Sequence, residues 1–92
     1  AIAVLAYEEM NRDRIREADG IAPLIDMLRT TNETYQEKAS SAIMNLALNA
    51  ENRKEVRMLD GIAPLIDLLY SPNPTVQQAA AGALWNLAID RT

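Results

Sequence analysis

The residues of this sequence that could do chemistry are carboxylates and carboxamides. Glu8 beside Glu9, and Glu33 four residues before Glu37, have the types and spacing that a general acid and base would need. The 92 residues include no His and no Cys. That composition removes imidazole proton transfer, thiolate nucleophiles, Cys/His zinc sites and every His-dependent triad. Without a second constellation the acidic pairs read as solvated faces, as do the recurring Asp26 and Asp67. No catalytic, metal or cofactor site is expected. The carboxamides are different. Asn45 and Asn86 stand 41 residues apart, and a carboxamide offers two donors and an acceptor. Its type permits a hydrogen-bonding role toward a ligand. The plainer reading is that a helical Asn faces solvent or bonds a neighbouring turn, at a cost of a few tenths of a kcal/mol.

The elements that position these residues come from a duplication. Asp19-Gly20-Ile21-Ala22-Pro23-Leu24-Ile25-Asp26 returns unchanged as Asp60-Gly61-Ile62-Ala63-Pro64-Leu65-Ile66-Asp67. A shift of 41 residues aligns 1–51 with 42–92 without a gap, and 24 of the 51 pairs are identical. Chance gives a handful, so the chain is a repeat protein. The register divides it into the end of a preceding unit (1–9), a full unit (10–50) and a second (51–92). On that register the chain starts inside a helix and reads as a piece of a longer array.

Three helical patterns fill each unit. Asn11 can cap a short helix to Ala18, where Ile15 and Ala18 share a face, and Gly20 ends it in a left-handed turn. Pro23 fits the first turn of a second helix, which has no use for its missing N–H, and the apolar run Leu24, Ile25, Met27 and Leu28 carries that helix to Thr30. Thr31-Asn32-Glu33 turns the chain and Thr34 caps a longer third helix. Its apolar positions Tyr35, Ala39, Ala42, Ile43 and Leu46 recur at helical spacing. Asn32-Glu33-Thr34 also fits a glycosylation sequon, but the turn accounts for it. The second unit repeats the scheme from Asn52 through Gly61 and Pro64. Pro72 and Pro74 break the chain before a third helix from Thr75 to about Asp90.

Asn52-Arg53, Val56, Gly61-Ile62, Pro64-Leu65, Leu68-Leu69, Ala80, Ala83-Leu84 and Asn86-Leu87-Ala88 together resemble an armadillo repeat. Asn11-Arg12, Ile15, Gly20-Ile21, Pro23-Leu24, Leu28, Ala39, Ala42-Ile43 and Asn45-Leu46-Ala47 match the same pattern again. The resemblance implies an all-α, right-handed α-solenoid with three helices per repeat, whose successive third helices line a concave groove. In the importin-alpha and beta-catenin families a third-helix Asn holds the backbone of an extended peptide there, and Asn45 and Asn86 match that position. The importin-type groove Trp stands one turn earlier, where this chain has Ser41 and Gly82, so stacked Trp pockets are not expected. Trp85 precedes Asn86, and is expected either half-buried between repeats or as an apolar shoulder of the groove. Asn49 joins Ser41 and Gly82 as a groove position by register, with Glu37, Lys38, Gln78 and Asp90.

Composition limits the partners. The chain is 49% hydrophobic with one Trp, three Tyr and no Phe, so its apolar content is aliphatic and suits packed helices. A net charge of −4 with no basic run argues against nucleic acid and anionic membrane. No apolar run approaches the ~20 residues of a membrane helix. The armadillo resemblance implies a protein or an extended peptide as partner, in an intracellular setting, cytoplasmic or nuclear. The rival function is a purely structural solenoid, or a segment that self-associates through open repeat ends.

Overall fold

The computed structural model describes residues 2–89, with side chains described from residue 10. Six helices follow in order: α1 (Ile2–Glu17), α2 (Ile21–Leu28), α3 (Glu33–Leu46), α4 (Ala50–Met58), α5 (Ile62–Leu68) and α6 (Pro74–Leu87). No strand occurs among the described residues. The two long third helices, α3 and α6, pack side by side, with α2 against α3 and α5 against α6. Ala39, Ala80 and Ala83, all fully buried, keep the side chains small where helices approach closely. Ile21, Ile25, Leu28, Ile43, Val56, Leu65, Val76 and Leu87 fill the remaining space, making one core that runs through both repeats.

The helix boundaries follow caps that differ from the expected ones. Asn32 rather than Thr34 caps α3, its side-chain oxygen accepting the Tyr35 N–H at 3.1 Å. Asn73 does the same for α6 with the Thr75 N–H at 2.9 Å, and Pro74 takes the first helical position. Asn49 rather than Asn52 caps α4, accepting the Asn52 N–H at 3.1 Å. The position 41 residues before Asn49, ahead of the first full repeat, is Glu8, a helix former without a capping carboxamide. There the helix does not break. α1 runs continuously to Glu17 instead of starting at Asn11. The third helix of the second unit ends at Leu87, capped at Ala88, and so stops short of the expected end at about Asp90, a residue that itself lies outside the described ones.

The left-handed turn is also displaced. It falls on Asp19 and Asp60, each at φ 59°, one residue before the glycines assigned to it. The short Asp side chain tolerates this conformation. The Gly20 N–H donates to the Ile15 carbonyl at 2.8 Å and the Asp19 N–H to Arg16 at 3.0 Å. The same closure joins Gly61 to Val56 at 2.9 Å and Asp60 to Arg57 at 3.1 Å. Gly61, at φ −79°, is needed for room. A Cβ there would lie 2.7 Å from Val56 Cγ1 and 3.0 Å from Ile25 Cδ1, both buried side chains. Gly61→Ala should therefore lower stability by about 1–3 kcal/mol through overpacking. Asp60→Gly, which relieves the left-handed strain, should leave stability equal or higher. Urea unfolding of the two variants separates the readings, and the opposite order would return the turn to the glycine.

Candidate functional site

The candidate surface is the one that α3 and α6 present together. Asn45 lies one residue before the end of α3 and is exposed. Asn86 holds the same register in α6 and is half-buried. Its carboxamide donates to the Met44 carbonyl at 2.8 Å. That bond has a local cause. The last carbonyls of a helix lack intrahelical partners. In α3 the Ile43, Asn45 and Leu46 carbonyls accept from the N–H groups of Ala47, Leu48 and Asn49. Met44 is passed over by this turn, and Asn86 of the following repeat supplies its donor. The Asn thus fastens one third helix to the next, which is a form of the plainer reading of a helical carboxamide.

Ser41 and Gly82 are half-buried one turn before the two asparagines. A Cβ on Gly82 would come 2.5 Å from Met44 Sδ, so Gly82 forms the floor beneath the Met44 side chain. Trp85 holds the register of Met44 in the second repeat and is 78% exposed. Among the described residues none covers it as Gly82 underlies Met44. Asn49 stands outside this row. α3 ends at Leu46, and the Asn49 side chain is taken up elsewhere: besides capping α4 it donates to Asp13 Oδ1 at 3.2 Å. Arg16 Nη1 reaches Asp13 at 3.2 Å, Asn49 Oδ1 at 3.3 Å and Asn52 Oδ1 at 2.8 Å. This cluster ties α1 to α4. Of the acidic groove positions, Glu37 is half-buried, and Asp90 lies outside the described residues. Glu33 accepts a hydrogen bond from Asn73 at 3.2 Å.

Sequence reasoning passed over Arg53. It is buried beside the row and donates from Nη1 to the Ala47 carbonyl at 2.9 Å. The available signal was the Asn-Arg pair, recurring as Asn11-Arg12 and Asn52-Arg53 on helices too polar to need it for solubility.

Two stacked three-helix units with paired third helices define an α-solenoid, a class whose repeats bury one another and offer an extended surface. The armadillo/beta-catenin-like repeat family model matches residues 8–48 and again 49–89, and the chain belongs to that family. Its repeats build protein-interaction solenoids and are typically non-enzymatic. The crystal structure of an engineered protein, a structural genomics consortium target, is similar at a TM-score of 0.79 and 30% identity. The match covers 83% of this chain and 19% of that one, so this chain spans about a fifth of that structure's length. No curated protein matches the chain. Among the described residues, no helix is long and apolar enough to cross a membrane.

Proposed function

We propose that the chain holds an extended segment of a partner protein along the row formed by α3 and α6. The observation that carries this is the exposed carboxamide of Asn45, set on a third helix in register with Asn86. Asn45 pairs with the peptide backbone through its N–H and C=O groups. Asn86 gives one N–H to Met44, and takes part through its second N–H and its carbonyl. Trp85, 78% exposed beside Asn86, is the apolar shoulder on which a partner side chain rests. Ser41 and Gly82 form the low floor between them. An intracellular setting, cytoplasmic or nuclear, goes with this reading.

The test uses peptides selected from a random library displayed on phage against the 92-residue chain. Asn45→Ala should weaken the selected peptides about fivefold, the effect of roughly one lost hydrogen bond. Since Asn45 is exposed, folding should be unaffected. Methylating the peptide nitrogens opposite Asn45 should cost a similar amount. Unchanged affinity on both changes would remove the carboxamide from the site.

A further inference from the structure

The turn between α5 and α6 differs from its counterpart between α2 and α3. Tyr70-Ser71-Pro72-Asn73-Pro74 stands where the first repeat has Arg29-Thr30-Thr31-Asn32-Glu33. Ser71 is the one Ser or Thr of the sequence that precedes a proline. It is half-buried and lies outside both helices, with Tyr70 84% exposed before it and Pro72 and Pro74 exposed after it. A following proline disfavours helical geometry, so Ser71 is biased toward the extended backbone that a kinase cleft holds. Pro72 and Pro74 also lack an N–H, which leaves few backbone bonds to break when the turn is drawn out. Ser71 Oγ accepts the Asn73 N–H at 3.1 Å, and among the described residues no acceptor takes its O–H.

The two turns lie against each other. Asn73 Nδ2 donates to Glu33 at 3.2 Å. An open cavity of about 540 Å³ between the turns is lined by Arg29, Thr31, Glu33, Asp67, Tyr70 and Ser71, among others. Arg29 is the sole cation among the described residues that line it. Its own contacts are long: Asp26 at 3.9 Å and the Asp60 carbonyl at 3.5 Å. A guanidinium held this loosely can turn to a stronger partner.

We propose that Ser71 is a phosphorylation site for a proline-directed protein kinase, and that Arg29 of the first repeat receives the phosphate across the cavity. In the step, Ser71 Oγ attacks the γ-phosphorus of ATP while its proton passes to the kinase's base. The Oγ–P bond forms, the bond from phosphorus to the β-bridging oxygen breaks, and ADP leaves. The product carries nearly two negative charges and three acceptor oxygens, and gives Arg29 a bidentate partner in place of two long contacts. Glu33 and Asp67 face the same cavity and repel the new charge, so the outcome rests on the arginine. With Arg29 present, the modification fastens the turn of one repeat to the turn of the next. Ser41, Asn45, Gly82, Trp85 and Asn86 are absent from this cavity, so the proposal stands apart from the function of the α3 and α6 row.

Incubating the 92-residue chain with ATP, Mg²⁺ and a mitogen-activated protein kinase should add one phosphate. Fragmentation mass spectrometry should place it on Ser71, and Ser71→Ala should abolish it. Urea unfolding should then show a folding equilibrium constant raised about tenfold by the phosphate, the effect of roughly one charge-assisted hydrogen bond. In Arg29→Gln the sign should reverse: with only Glu33 and Asp67 facing it, the phosphate should lower the constant. Arg29→Lys keeps the charge without the planar fork and should retain part of the gain. Each variant is compared with its own unmodified form, so any cost of the substitution itself drops out. Failure to incorporate phosphate, or incorporation at another residue, overturns the proposal. So does a phosphate that changes stability equally in wild type and Arg29→Gln, since the cavity would then not hold it through the arginine.

Discussion

Ile25→Ala should leave the chain largely unfolded in dilute buffer, whereas Ile66→Ala, the same substitution one repeat later, should be tolerated. Ile25 is 2% exposed on α2, and its side chain reaches the second repeat. Its Cδ1 and Cγ1 lie 3.0 and 3.2 Å from where a Gly61 Cβ would stand. Truncation therefore opens a void within the contact between the repeats. Deleting a buried Ile to Ala costs about 2–5 kcal/mol. Small domains have about 5 kcal/mol or little more in total, and a solenoid this short has few other contacts over which to spread the loss. Ile66 is 44% exposed on α5, so its removal should cost less than about 1 kcal/mol. Circular dichroism with urea unfolding measures both. Equal losses would mean that the two repeats are stabilised separately and that Ile25 does not couple them.

The three helices of each unit were legible because the 41-residue period puts every breaker on the page twice. The second copy of Gly-Ile-Ala-Pro makes the start of the second helix unmistakable. The caps were harder to read, since Asn32 and Thr34, or Asn49 and Asn52, are all competent and only the backbone path chooses between them. The left-handed residue was misplaced for a related reason. Gly is the usual occupant of that turn, and what fixes Gly61 is the distance to Val56 and Ile25, a tertiary quantity with no local signature. The unbroken α1 could have been suspected from Glu8 standing where Asn49 stands.

Of the site, the register of Asn45 and Asn86 was readable, but their unequal surroundings were not. The bond from Asn86 to Met44 spans 42 residues, and it exists because a helix end leaves one carbonyl without a donor. Asn49 shows the converse. Its register pointed to the α3 row, yet the helix stops three residues short of it and the side chain serves α4 and Asp13 instead.

Arg53→Met should cost about 2–3 kcal/mol, although it replaces a charge with an apolar chain of similar length in a buried position. On burial alone the change should help, since desolvating a guanidinium is expensive. The geometry decides otherwise. Arg53 is only 8% exposed, and its Nη1 donates to the Ala47 carbonyl at 2.9 Å in a bond closed to solvent. Ala47 is the C-cap of α3, where the aligned peptide dipoles gather negative charge, and a cation there is favoured twice, as donor and as charge. Met leaves that carbonyl buried without a donor. Arg53→Lys keeps the charge but loses the planar reach of the guanidinium, and should fall between Met and wild type. Arg12→Met is the internal control: the same register, but half-buried beside an open cavity between α1, α2 and α3, so its cost should stay below about 1 kcal/mol. Urea unfolding of the three variants tests the order. If Arg53→Met proved as stable as wild type, the Ala47 carbonyl would have found another donor. The helix end of the first repeat would then not depend on the second repeat's arginine.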